Sequence, residues 1–548
     1  MKQRMTRVIV VAVLTALVIA VFAACGRDNG DGGTQVDFNR TSWTEPFPET
    51  VTFTTAWGTF DANRFLEGDE THTDTIWTRR WLEEFNIQAE VEWVSEDYQL
   101  QLNLSIAAGD IPDIFRVYPV QFAQLLEANL IEDITDVTNQ WLSPRLAELY
   151  EREHLVFDTA TRDGSTYALP MLSAGMTAQI PHLWVRKDWY QQAGSPEIRT
   201  VADLEALMET FMENNGATLG TTLYDRISGV WRSASMFHAF PRSADIGNLM
   251  WLDDGAGGLV SGFEMPEMLD LLSWWRDLYA RGLVQDDFAT NDWNSLIASI
   301  LNGETGIVFG QNWLHWQILA TIEANGPDSY FLSLPMPTVD GRPAQHPVEF
   351  RNYAYHVVRR GFEHPEILPI LNSDYIYIFH EAPFTDSIDQ DLLIRFTDAH
   401  WIAGPVRVVM PHWDDILDVF NYLAARDRGD TYEARTPQGI TFIAETLLWA
   451  DNQDVTGLGR FSQNANEYAA LVRGMRAQEN GQFLHNGAWG PDPQEVLDLR
   501  AMTNDIMMEG MTRIIMGVEP LEHWHVLLEE WRQAGGNRMT EAINRDFR

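Results

Sequence analysis

Cysteine occurs once in this chain of 548 residues, lysine only at Lys2 and Lys187, and positive charge is scarce altogether: 38 basic side chains face 79 acidic ones, a formal net charge of −41. A single thiol excludes an internal disulfide framework and clusters of thiolate metal ligands. The acidic excess excludes nucleic acid as a partner, because a polyanion would meet a like-charged surface and counterion release needs clustered Lys and Arg. That excess suits a well-solvated exterior. Also missing are a G-x-S-x-G nucleophile elbow, an H-E-x-x-H zinc motif and a glycine-rich phosphate loop, and the 14 histidines are scattered. No catalytic residues, resident metal or cofactor are expected. Gly and Pro, at 38 and 24, are too few for a fibrous or disordered chain. What remains is an ordinary globular mixture, 45% apolar and 21% charged. Its length exceeds the roughly 250–300 residues at which one core stops growing, so two or more lobes are expected.

The lone cysteine ends a hydrophobic run. Lys2, Arg4 and Arg7 precede residues 8–24, which are apolar except for Thr15, the layout of an export signal. The run closes Val21-Phe22-Ala23-Ala24-Cys25-Gly26, which resembles a bacterial lipobox with Phe22 where Leu or Val is commoner. A plain membrane anchor would need about 17–25 apolar residues and gives no reason for a thiol at its end. Residues 1–24 therefore read as a signal peptide and Cys25 as the lipidation site. Residues 25–47, rich in Gly, Asp, Asn and Thr, read as a flexible linker. Cleavage removes three positive charges and no negative ones, so −41 becomes −44. The implied location is outside the cell, lipid-anchored to the outer face of the bacterial cytoplasmic membrane.

Beyond the linker the pattern is α/β. Residues 51–57 alternate like a strand, residues 75–85 have helical spacing, and residues 89–94 alternate again. A helix over 98–108 stopping at Gly109, a strand over 113–118 and a strand over 183–185 follow. Helices are expected over 200–212, with Thr200 as N-cap, and over 266–281, with Met268, Leu271, Leu272, Trp275 and Leu278 on one face. Such alternation implies a mostly parallel sheet with helices on both faces.

Several segments carry a family resemblance in order along the chain. They are Ala107-Ala108-Gly109-Asp110-Ile111-Pro112-Asp113-Ile114 with Leu130-Ile131-Glu132-Asp133-Ile134, and Tyr167-Ala168-Leu169-Pro170 with Leu183-Trp184-Val185-Arg186-Lys187-Asp188-Trp189. Further on come Leu278-Tyr279-Ala280-Arg281-Gly282-Leu283-Val284 with Asn302-Gly303-Glu304-Thr305-Gly306-Ile307, and the tail Glu530-Trp531-Arg532-Gln533-Ala534-Gly535-Gly536. Together they resemble family 1 of the bacterial extracellular solute-binding proteins, in its long lipoprotein branch, the substrate-binding components of ABC-type carbohydrate importers.

The resemblance implies a two-lobed, type II periplasmic-binding-protein-like fold with the ligand in a cleft between lobes joined by hinge strands. The crossings are expected near residues 167–170 and 306–313. The first lobe would take 48–168 plus 312–402, and the second 169–311 plus 403–548. Residues 213–220 are too poor in carboxylates for the calcium loop of many long-branch relatives. The implied partners are an oligosaccharide or other small solute, ABC permease subunits and, through the lipid, the membrane; a monomer is expected.

Candidate ligand contacts follow from strand ends, where doubly wound sheets gather ligands. Trp57, Tyr118, Trp184 and Trp313 would stack on sugar rings, and Asp61, Asp113, Arg116 and Arg186 would bind hydroxyls. Trp231 and Trp413 join them from polar loops, and Arg351 would serve an anionic ligand with Arg116 and Arg186. Against this, most of the 21 tryptophans fill the core, Asp113 also suits a turn, and Arg186 with Asp188 reads equally as a buried ion pair. The competing functions are a secreted polysaccharide-active hydrolase, which needs paired carboxylates roughly 5–9.5 Å apart, and the ligand-binding partner of a membrane sensor.

Overall fold

Phe53 and Trp57 of Val51–Gly58 (β1) face one core and Ala56 faces another, the alternation of a strand covered on both sides. The computed structural model describes residues 40–58, 71–172, 180–222, 250–291, 293–310, 312, 314, 319–348, 350, 354–382, 413–465, 469–490 and 492–547. Helix Ile76–Phe85 (α1) opens on a capping box between Thr75 and Thr78, each hydroxyl accepting the other residue's N–H. It buries Ile76, Trp77, Trp81 and Phe85. Ile87–Ser95 (β2) then pairs in parallel with β1, Val51 opposite Ile87. Tyr98–Ala108 (α2) runs from an Asp97 cap to Gly109, whose φ of 70° is the left-handed stop that glycine adopts without strain. Ile114–Val117 (β3), Pro119–Glu127 (α3), Pro144–Arg152 (α4) and Leu169–Pro170 (β4) complete the first pass through this lobe.

A second sheet follows, centred on the wholly buried His182–Arg186 (β5). Val201–Asn214 (α5) starts at the Thr200 N-cap, reinforced by Asp203. Glu267–Ala280 (α6) buries Met268, Leu271, Leu272, Trp274, Trp275 and Leu278, the stripe its sequence spacing predicts. Ile307–Gly310 (β6) and Phe331–Leu334 (β7) flank β5, both antiparallel, with Gly310 opposite His182 and Leu334 opposite Leu183. This pairing corrects the expected return at residue 312: Phe331, Ser333 and Leu334 are buried, so the chain adds a third strand to the second sheet first. His346–Val348 (β8) intervenes, and Tyr355–Val358 (β9) then re-enters the first sheet between β3 and β4.

The expectation of a mostly parallel sheet is likewise corrected. β9 is antiparallel to β3 and β4, between which it inserts, and β6 and β7 are antiparallel to β5, which they flank. The first sheet is nonetheless covered on both faces. Ile114, Leu169 and Val358 share a core with Trp77, Trp81, Leu146 and Leu149. Phe115, Val117 and Val357 share another with Leu102, Phe122 and Leu125.

Ile367–His380 (α7) closes the first face and is buried on nearly every side. Trp413–Arg428 (α8) and Pro437–Asn452 (α9) form a hairpin around Val419, Phe442 and Ile443, and α9 also rests on α7. Leu458–Asn464 (α10), Ala470–Glu479 (α11) and Phe483–His485 (β10), which pairs in parallel with β8, lead to the last three helices. These are Gln494–Ile515 (α12), Trp524–Trp531 (α13) and Asn537–Phe547 (α14). Met507, Met511, Trp531 and Ile543 join Leu204, Phe211, Leu271 and Trp275 in the core of the second lobe. Among the described residues no helix is long and apolar enough to cross a membrane.

Candidate ligand-binding site

Two sheet edges are joined by the chain crossings. On the first lobe, β3 ends at Val117, opposite Tyr355 at the start of β9, and Pro170 at the end of β4 is paired with the same Tyr355. On the second, His182 starts β5 and Gly310 ends β6 opposite it. β4 leads to β5, and β7 leads back to β9, so these are the edges the crossings connect.

The first-lobe edge carries Arg116 and Tyr118. The Arg116 guanidinium lies 5.1 Å from the Tyr98 ring centroid and 6.0 Å from that of Tyr118, within cation–π range. Arg116 stands in register with buried His356. Trp57, one edge-on ring away from His72 at 6.0 Å, is packed into the lobe core. Burial lowers the His72 pKa, so its imidazole is neutral near pH 7.

The opposite edge of the same sheet holds a recess of about 730 Å³ lined by Val51, Thr52, Asp113, Arg359 and His364. Asp113 is therefore away from the crossings. Its carboxylate accepts the Thr54 N–H and hydroxyl at 2.9 and 3.0 Å and Arg359 Nη2 at 2.6 Å, a tie between β1, β3 and β9. His364 is drawn to the Glu366 carboxylate at 3.3 Å, and this hydrogen bond raises its pKa above the ordinary value. A raised imidazole stabilises the fold while protonated. That contribution is full below the unfolded value of about 6.5 and is lost as pH rises through the raised folded value. His364→Gln should thus lower Tm near pH ~5.5 more than near pH ~8.5 in paired thermal melts; equal drops would deny the protonation link.

At the second-lobe edge the Ser333 hydroxyl lies 3.1 Å from His182 Nδ1, and Arg473 Nε donates to the Ser333 carbonyl at 2.7 Å. Trp184 is completely buried, and its indole N–H donates to the Gly310 carbonyl at 3.1 Å. It presents no ring face to a ligand here, which corrects its place among the stacking candidates. Arg186 is corrected too. It ends β5, four residues or about 13 Å from His182, and the Nε–Nη2 edge of its guanidinium is held by both Asp188 oxygens at 2.8 Å. β5 runs the other way from the strands of a parallel sheet, so its amino end, not its carboxyl end, meets the crossings.

Beyond β6, Asn312 accepts Gln463 Nε2 at 2.9 Å, and Gln463 accepts Arg460 Nη1 at 3.0 Å. Asp61, Trp231, Trp313, Arg351 and the lipidation candidate Cys25 lie outside the described residues; of Trp413 only the backbone, at the start of α8, is described. Of the expected contacts, then, Arg116 and Tyr118 stand at the joined edges, whereas Asp113 and Arg186 do not.

The family model for bacterial extracellular solute-binding proteins matches residues 69–366, more than half of the chain. The chain belongs to that family. The fructooligosaccharide ABC transporter substrate-binding protein FusA of Streptococcus pneumoniae serotype 4 is 25% identical over 320 residues, 54% of this chain and 56% of FusA. Lipoprotein LipO of Bacillus subtilis strain 168 is 21% identical over 253 residues, 43% of this chain and 46% of LipO. The match spans about half the length of these curated relatives. A structure of the S. pneumoniae FusA EF-hand mutant with fructo-nystose aligns with a TM-score of 0.60 at 14% identity, covering 91% of this chain and 99% of that one. The solute-binding protein accordingly has the two-lobed fold of its family.

Among its described residues no three His, Cys, Asp or Glu side chains are grouped to hold a metal. The polar residues of this solute-binding protein that motif reading misses are the buried amides near Asn312. The one sequence signal for them is the run Ser462-Gln463-Asn464, three polar residues closing a helix and all buried.

Proposed function

We propose that this chain is the oligosaccharide-binding component of an ABC importer, exported, held outside the membrane by lipid on Cys25, and without catalytic activity of its own. The observation that carries the reading is the pair of sheet edges that the crossings join, with an arginine and a tyrosine on one and buried amides just beyond the other. The phenol ring of Tyr118 offers an apolar face to a sugar ring, and Arg116 offers charge-assisted donors to hydroxyls. A ligand touching both edges binds the closed arrangement better than the open one and so shifts the population towards it. The closed form is then the one presented to the permease. FusA, a relative, is named for fructooligosaccharide, which supports a glycan over a peptide. Asp61, Trp231, Trp313, Arg351 and Trp413 complete the candidate set for the same cleft.

Thermal unfolding of the full chain against neutral and acidic oligosaccharides tests this. A ligand at about 100 times its Kd should add ~2.7 kcal/mol of stability, and mass spectrometry of the recovered glycan should find it intact. No shift with any glycan overturns the oligosaccharide reading, and a cleaved glycan overturns the binding-only reading. Labelled fatty acid should enter the protein in cells and fail to enter Cys25→Ser.

A further inference from the structure

We infer that Asn464, with Gln438, Gln463 and Asn312, is a ligand subsite of the second lobe that takes an uncharged, hydroxyl-bearing ring, so that the ligand is a neutral and not an acidic glycan. The inference rests on the oligosaccharide reading above and adds the chemical class and the residues that choose it.

The four side chains are carboxamides, and all are at least nine-tenths buried: Asn312 at 6% exposure, Gln438 at 6%, Gln463 at 8% and Asn464 at 0%. Their placement follows from how α9 and α10 pack. The Arg460 guanidinium lies 3.5 Å over the Phe442 ring and its Nε donates to Glu445 at 2.7 Å. α10 thus runs back along α9, and its last residue, Asn464, lies towards the start of α9, where Gln438 sits. From Arg460 the bonds continue through Gln463 to Asn312, two residues past β6. β6 ends opposite His182, the first residue after the crossing from the first lobe. The set is therefore anchored at the joined edges.

Within this set, both polar atoms of Asn464 and the Gln438 carbonyl oxygen are buried without a hydrogen-bond partner. Natural cores rarely leave a carboxamide with donor and acceptor both unmet, since burial of unpaired polar groups is unfavourable. A sugar hydroxyl donates and accepts at once, so neighbouring hydroxyls of one ring can satisfy the Asn464 N–H and oxygen together. A carboxylate only accepts. It would meet the Asn464 amide N–H but would face the Asn464 and Gln438 oxygens with nothing to donate. At this set Arg460 is already bonded to Glu445, and Arg186 to Asp188; Arg116, which offers its donors to hydroxyls, stands on the first lobe outside the set. A net charge of −41 further disfavours an anionic ligand at long range. Asn464 is fully covered in this structure, so the packing of α10 against α9 must open before a ring reaches it.

The test is calorimetric titration of the full chain with neutral malto- and fructo-oligosaccharides and with acidic oligogalacturonate, alongside thermal melts of ligand-free Asn464→Ala and Gln438→Leu. Saturable binding of a neutral probe and none of oligogalacturonate is expected, with each variant weakening the neutral probe by about tenfold or more. Because these atoms are unmet in the free protein, the ligand-free variants should melt no lower than the parent. Tighter binding of oligogalacturonate overturns the inference and leaves the oligosaccharide reading standing. So does unchanged neutral affinity in both variants, or a lowered Tm with unchanged affinity, which marks a purely structural role. Binding of neither probe class overturns both readings together.

Discussion

Asp374→Ala should lower the unfolding free energy by about 3–5 kcal/mol, the effect of leaving a buried charge without its partner. The Asp374 side chain, on α7, has no exposed surface, and that of Arg80, on α1, keeps 16%. Arg80 Nε lies 3.1 and 3.0 Å from the two carboxylate oxygens and Nη2 lies 2.7 Å from one. Burial pushes the Asp374 carboxyl above the usual carboxylate range against the pull of Arg80. Desolvation is therefore the large opposing quantity, and Arg80 is what keeps the charge tolerable. If so, Arg80→Met combined with Asp374→Leu should recover most of the loss, because an apolar pair has no ions to desolvate. Urea unfolding of the single and double variants measures both. A double variant as unstable as Asp374→Ala would move the cost from electrostatics to packing.

The position of that pair explains why it bears on function. α7 backs the first sheet, and the neighbouring Ser373 hydroxyl accepts the Ser143 N–H at 2.8 Å just before α4. α9, which carries Gln438, rests on the same helix. A helix buried all round and tied to three neighbours is a rigid mount.

Local chemistry made much of this legible from sequence. The Thr200 cap and the Met268 to Leu278 stripe need only nearby residues, and both elements form where spacing puts them. Strand direction does not have that property. Tyr355 pairs with Val117 and Leu334 with Leu183, partners far apart in the chain, and nothing in either segment's own pattern encodes the other. The misplacement of Arg186 follows from this, since its role depends on which end of β5 meets the crossing. The carboxamides were illegible for another reason. Asn and Gln are usually exposed, so a polarity pattern assigns them to the surface, and only the packed structure reveals them as buried.

Trp184 decides between residue type and environment. Trp184→Ala should destabilise the protein by about 3–5 kcal/mol, the range for emptying a tryptophan site in a core. The indole packs among Leu296, Ile300, Val308, Leu314 and Phe331, and its N–H satisfies Gly310 at the end of β6. Trp184→Phe keeps an aromatic ring but leaves that carbonyl without its donor, for a loss of about 1–3 kcal/mol. Calorimetry at a temperature where the variants are folded separates this from binding. Per folded molecule, Trp184→Phe should keep its affinity for a neutral oligosaccharide within about threefold, some 0.6 kcal/mol. Loss of stability with retained affinity makes Trp184 the support beneath the end of β6 at Gly310. A variant that kept its stability and lost the ligand would restore the stacking role its residue type suggests.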